Sequence, residues 1–229
     1  MTPQNNKLLN ALSTDAQQRI FSHLKLVDLP RGKVIFEANE KLQYVYFPIN
    51  SIVSLLYVME DGSSADVSII GNEGMVGIAV FMGGESTPRR AVVQSAGQAY
   101  RLSATELQNE FLNHPDIRLL LLRYTQSLFA QVAQTAVCNR HHSIGQQLCR
   151  WLLLSLDRIP GNDLTMTQEL IANMLGVRRE GVTEAAVKLQ KAGIIHYKRG
   201  HISIIDRSRL ETQSCECYKV VKNETERLR

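Results

Sequence analysis

The sequence predicts an α+β fold: a β-rich N-terminal domain, one long helix, and a C-terminal domain of short helices closed by a hairpin. Three observations predict it. Short runs of Val, Ile, Tyr and Phe from about Val34 to Leu102 are separated by Gly, Asn, Pro and Asp, the punctuation of an all-β region. From Asp116 to Ile144 neither Gly nor Pro occurs, and apolar residues recur at three- and four-residue steps, the period of a helix. Beyond Pro160-Gly161, two short helical patterns flank Gly176, and a basic segment alternates after Gly193.

A chain of 229 residues with 44% hydrophobic and 21% charged residues can bury one large or two modest cores and is too apolar for a disordered segment. No stretch approaches the ~18 consecutive apolar residues of a membrane span, and the polar start Met1 to Lys7 lacks the apolar core of a signal peptide. A cytoplasmic location without a membrane partner is therefore expected. Cys138, Cys149, Cys215 and Cys217 are too few and too unevenly placed for a disulfide framework, so reduced thiols are expected. A net charge of +4 permits a polyanionic partner without demanding one. No Gly-x-Ser-x-Gly, phosphate-binding loop or metal-ligand cluster is visible, which speaks against an enzyme.

In chain order, a helix from Asp15 to Leu24 precedes strands at Lys33-Phe36, Tyr44-Phe47, Ile52-Met59, Ser64-Ile70, Ala91-Gln94 and Gln98-Leu102. Glu60-Asp61-Gly62-Ser63 carries the Asp-Gly pair of a tight hairpin. On the long helix, with a break allowed near Asn139, the stripe Ile117, Leu121, Tyr124, Leu128 and Val132 must be covered. Its near-heptad spacing suits pairing with the same helix of a second copy; packing on the chain's own β domain is the alternative. A further helix runs from Gln146 to Leu156. The expected divisions are 1–114 for the β domain, 115–139 for a dimerisation helix, 140–213 for the C-terminal domain and 214–229 for a charged tail, frayed over its last residues.

The segment Leu164 to Gly193 reads as two helices about a sharp turn at Gly176, where a side chain would collide. Thr165 with Gln168 matches a capping box, and Thr167 is a rival N-cap. The second helix turns Val182, Ala186 and Leu189 inward and leaves Arg179, Glu180, Thr183 and Glu184 outside. Arg can fork onto guanine O6 and N7, and Glu can accept from the cytosine amino group, so these residues suit base reading in a major groove. Two strands turning at Arg199-Gly200 form a wing, whose Lys198, Arg199 and His201, together with Arg178 at the helix start, suit phosphate contacts. The plainer alternative is an αα-hairpin with a solvated charged face.

Over nearly its whole length this pattern resembles the Crp/Fnr transcription regulators, whose helix motif stands here as Gly176-Val-Arg-Arg179-Glu180-Gly-Val182. The resemblance implies an N-terminal cyclic-nucleotide-binding-like β-roll (jelly roll), a long dimerisation helix and a C-terminal winged helix-turn-helix. It implies a homodimer on double-stranded DNA with an inverted-repeat operator, Arg179 and Glu180 as base readers, Thr167 and Gln168 as backbone contacts, and RNA polymerase as a further partner. Glu184 departs from the third base reader, usually Arg, of the cyclic AMP receptor, implying a different operator.

In the family's cyclic AMP pocket a Gly-Glu-Leu-Gly turn meets the ribose and an Arg-Ser-Ala stretch meets the phosphate; here these become Gly74-Met75-Val76-Gly77 and Arg89-Arg90-Ala91. Met75 offers a ribose hydroxyl no useful acceptor, and an unpaired buried hydroxyl costs about 1 to 3 kcal/mol. Cyclic AMP is therefore not expected. Another anionic effector held by Arg89 and Arg90, no effector, or a surface ion pair with Glu85 or another acidic neighbour stay open, with a cyclic-nucleotide-dependent activator as the competing reading. Glu73 is not expected to replace the missing carboxylate. No cysteine precedes Cys138, which excludes the family's N-terminal iron-sulfur cluster, and the sensor region offers haem only His23 and His114. His141 and His142, adjacent on a helix, cannot face one ion together; both are expected to be solvated, and no metal site is assigned. Cys215-Glu-Cys217 reads as an exposed or packed tail, a redox pair or half a metal site.

Overall fold

A computed structural model describes residues 1–228. Two short helices, α1 (Lys7–Asn10) and α2 (Thr14–Phe21), open the chain. Seven strands follow: β1 (Lys25–Leu29), β2 (Val34–Phe36), β3 (Tyr44–Pro48), β4 (Ile52–Val58), β5 (Ser64–Ile70), β6 (Arg90–Ser95) and β7 (Gly97–Ser103). They pair into two antiparallel sheets, β1-β7-β3 and β2-β6-β4-β5, around buried Leu29, Val45, Phe47, Val53, Ile70, Val93 and Leu102. The β4–β5 hairpin turns at Asp61-Gly62, where Gly62 takes φ 83°. β1 and helix α3 (Ala104–Asn113) were not foreseen. The second was readable, since Ser103 and Glu106 form a reciprocal capping box. The opening helix stops at Phe21 rather than Leu24, because the chain turns there into β1.

The long helix α4 (Pro115–His141) is unbroken at Asn139 and ends before Ile144, where His142 turns extended and Ser143 caps helix α5 (Ile144–Leu156). The expected dimer stripe needs correcting. Ile117, Leu121, Tyr124 and Leu128 are buried in the core of the chain's own β domain, and Val132 is half-buried, so this face is already covered within one subunit. The exposed apolar residues of α4 are Leu119, Leu122, Phe129 and Val137.

After strand β8 (Asp163–Thr165) come α6 (Gln168–Leu175), α7 (Arg179–Lys191), β9 (Ile195–Lys198), β10 (His201–Ile204), α8 (Arg207–Gln213) and α9 (Cys217–Arg227). From Lys219 to Leu228 the tail is not frayed, and Arg229, the last residue of that expectation, lies outside the described residues. α9 buries Cys217, Tyr218 and Val221 against α4 and α5, carrying Cys215 and Cys217 up to Cys138 and His142. The two domains also touch directly, because Ile52 and Ile69 of the β4–β5 hairpin enter the C-terminal core beside Trp151 and Met174. At that junction Arg158 bonds three ways: Nε to Glu73 at 2.8 Å, Nη1 to the Leu154 carbonyl at 2.7 Å and Nη2 to Gln131 at 2.6 Å. No described helix is long and apolar enough to cross a membrane.

Candidate nucleic-acid interface

The first helix of the motif, α6, is capped by Thr167, whose Oγ1 accepts from the Leu170 amide at 3.2 Å. Thr165 is instead a strand residue opposite His201, so the capping box expected from Thr165 and Gln168 is not formed. Gly176 ends α6 at φ 65°, ψ 34°. A Cβ there would meet nothing within 4 Å, so the reason for glycine is its left-handed backbone and not the collision expected. Gly181 is the position where space decides, because its Cβ would stand 2.6 Å from Ile144 at the start of α5.

Helix α7 buries Val182, Ala185, Ala186 and Leu189, which leaves Arg178, Arg179, Glu180 and Glu184 exposed. Arg178 is the N-cap and supplies no side-chain cap. The first amides of α7 therefore have no side-chain cap, and the positive end of the helix dipole lies beside Arg179. Thr183 differs from the expected outward set: it is half-buried, and its Oγ1 lies 2.7 Å from Gln168 Oε1 and 3.0 Å from the Arg179 carbonyl. It joins α6 to α7. Glu184 pairs with Lys188 at 2.8 Å, and that bond holds its carboxyl below the usual range.

At the wing, Arg199 (φ 49°) and Gly200 (φ 81°) are both left-handed, the geometry of a two-residue hairpin turn. The wing is tied to the first helix: Tyr197 Oη donates to the Met166 carbonyl at 2.8 Å, and the Met166 amide donates to the Gly200 carbonyl at 2.6 Å. Lys198, Arg199 and His201 are exposed. Thr167, Gln168, Arg179 and Arg199 line one surface concavity between α7 and the wing. The resulting face sets the exposed Lys198 and Arg199 of the wing beside the Arg-Glu pair on the first turn of α7, an arrangement that matches phosphate contacts next to base readers.

The Gly74-Met75-Val76-Gly77 turn belongs to the β domain. Gly77 takes φ 110°, Met75 is fully buried, and a Cβ at Gly74 would collide with the Tyr124 ring. Tyr124 Oη donates to the Met75 carbonyl at 2.8 Å, and Asn6 Nδ2 donates to the Gly74 carbonyl at 2.8 Å. The cavity bordered by Met75, Gly77, Arg89 and Leu128 measures about 10 Å³, roughly the room for one water. Arg89 Nε donates to Thr87 at 3.1 Å, while Arg90 pairs with Glu37 at 3.0 Å. Glu85 pairs with Lys41 instead, so the acidic neighbour of the arginine pair is Glu37. Glu73 is taken up by Arg158.

Two family models match the chain: the cyclic nucleotide-binding domain over residues 26–114 and the Crp-like helix-turn-helix domain over residues 146–213. The chain is 23% identical to the global nitrogen regulator of Synechococcus elongatus, over 83% of this chain and 90% of that protein. It is 25% identical to the CRP-like cAMP-activated global transcriptional regulator of Mycobacterium tuberculosis, over 89% of this chain and 94% of that protein. FixK2 from Bradyrhizobium japonicum shares the fold, with a TM-score of 0.70 at 17% identity over 84% of this chain and 98% of that one.

Proposed function

The chain belongs to the Crp/Fnr family of DNA-binding transcription regulators, and from that premise we propose that it binds an inverted-repeat operator as a cytoplasmic homodimer, without enzymatic activity and without cyclic AMP as its signal. The single observation that carries this reading is the exposed Arg179-Glu180 pair on the first turn of α7, flanked by the cations of the wing. Arg179, Glu180 and Glu184 are the base readers. Thr167, Gln168, Arg178, Lys198, Arg199 and His201 meet the phosphates, and Thr183 positions α7 on α6.

The dimer forms through the other face of α4. Leu119, Leu122, Gln126, Phe129, Ala133 and Ala136 alternate steps of three and four along its exposed side, the spacing of a coiled-coil seam, and Phe129 is 73% exposed. Pairing there presents two recognition helices to half-sites about one helical turn apart, with RNA polymerase as a further partner. Three features favour independence from cyclic AMP: Met75 is buried in the ribose-facing turn, the cavity has room for about one water, and Glu73 is already paired with Arg158. Arg89 borders that cavity, which keeps an anionic effector of different shape as a second reading.

Fluorescence anisotropy on duplexes enriched by the protein from sheared genomic DNA tests the proposal. Arg179→Ala is expected to lose about 1 to 3 kcal/mol and relax base preference at one position, whereas Lys198→Ala weakens all sequences alike and lowers the salt slope by about one. Added cyclic AMP leaves the affinity unchanged. Equal behaviour of the two variants, or tightening by cyclic AMP that Arg89→Ala abolishes, sinks the proposal.

A further inference from the structure

Cys138 and His142 stand four residues apart at the end of α4, on one face, and the turn into α9 brings Cys215 and Cys217 back to them. Cys138 Sγ and Cys215 Sγ are 3.5 Å apart, Cys217 Sγ and His142 Nδ1 are 3.4 Å apart, and all four ligand atoms lie within 4.8 Å of one another. The three thiols are buried, and the His142 side chain is 14% exposed. A tetrahedral ion with Zn–S bonds near 2.3 Å and Zn–N bonds near 2.0 Å has ligand-to-ligand edges of about 3.5 to 3.8 Å, so these atoms nearly enclose one ion already.

We propose that Cys138, His142, Cys215 and Cys217 form a mononuclear tetrahedral Zn²⁺ site of the Cys3His type, which clamps α9 across the joint between the long helix and the DNA-binding domain. The surroundings are those of a ligand set. Nδ1 is the His142 ring nitrogen that faces Cys217 Sγ, and Glu216 Oε2 stands 3.4 Å from the other ring nitrogen, Nε2, as a carboxylate beside a metal-binding imidazole does. Gln134 Nε2 donates to Cys217 Sγ at 3.0 Å, which holds that sulfur in place. On binding, each thiol releases one proton to solvent as its sulfur–zinc bond forms, and no electron is transferred. Three thiolates and one dication leave a single negative charge, which buried Arg150 beside Cys138 offsets. A disulfide between Cys138 and Cys215 would leave the third thiol and the oriented imidazole without a role. A multinuclear cluster, with metal and sulfide atoms between its thiolates, needs wider spacing than 4.8 Å.

The site is independent of the DNA-reading argument and is tested on the full-length protein purified in reductant. Mass spectrometry of bound metal is expected to find about one Zn²⁺ per chain in the wild type and in Cys149→Ser, and a loss of tenfold or more in Cys138→Ser and Cys217→Ser. Because a buried substitution can unfold the chain, the wild type alone supplies a second readout: replacement by Co²⁺ gives the intense visible bands of tetrahedral thiolate coordination. Folded wild type that takes up neither Zn²⁺ nor Co²⁺, retention of zinc by both variants, or a Cys138–Cys215 disulfide in metal-free native protein each overturns the site.

Discussion

Asp66 is a carboxyl group placed where two domains meet, bordered by Arg150, Trp151 and Met174. Burial pushes it up to about 7, although Ser54 donates to Oδ2 at 2.7 Å and the Ser68 amide to Oδ1 at 3.2 Å. An acid raised in the folded state ionises first in the unfolded chain, so stability falls as pH climbs from about 4 to about 7 and stays at the lower level above that. Asp66→Asn is therefore expected to stabilise the protein at pH 8 by on the order of 1 to 3 kcal/mol and to match the wild type near pH 4 in denaturant unfolding. Equal stability at pH 8 would contradict this. At the same scale the sequence made Gly176, Arg179 and Glu180 legible, because turn and helix-start chemistry is local. Asp66, the Arg158–Glu73 pair and the Cys138–His142–Cys215–Cys217 cluster were not, since each joins residues far apart in the chain.

Among the elements, α4 shows why periodicity alone misleads. Both of its faces carry apolar residues at helical spacing, so the stripe Ile117, Leu121, Tyr124 and Leu128 and the seam Leu119, Leu122 and Phe129 look alike in sequence. Only the packing tells them apart: the first binds the β domain, with Tyr124 bonded to the sensor turn, and the second is left to solvent in one subunit. Phe129→Asp is expected to yield monomers in sedimentation equilibrium with the far-ultraviolet circular dichroism unchanged, because it buries a charge in the seam without touching the inner face. A wild-type dimer unaltered by Phe129→Asp would move the interface elsewhere. The hairpins were foreseen because Asp61-Gly62 and Arg199-Gly200 supply left-handed turns; β1 was missed because it is short and carries charged residues at Lys25 and Asp28.

For the whole molecule, the β4–β5 hairpin, α4 and α5 meet at Gln131, which donates to the Ile69 carbonyl at 3.0 Å and accepts from Arg158. The β domain, the long helix and the helix-turn-helix domain therefore share one polar junction. The order of domains was legible from the change of hydrophobic period along the chain; the way they dock was not, because docking depends on pairs such as Ile69 with Met174 that sequence spacing does not encode. That two copies read DNA together is tested most directly by selecting the full-length protein's targets from a pool of randomised duplexes. Enrichment of an inverted repeat, with half-site centres about 10 base pairs apart, is expected. Recovery of a single asymmetric half-site, or no enrichment over the starting pool, would contradict it.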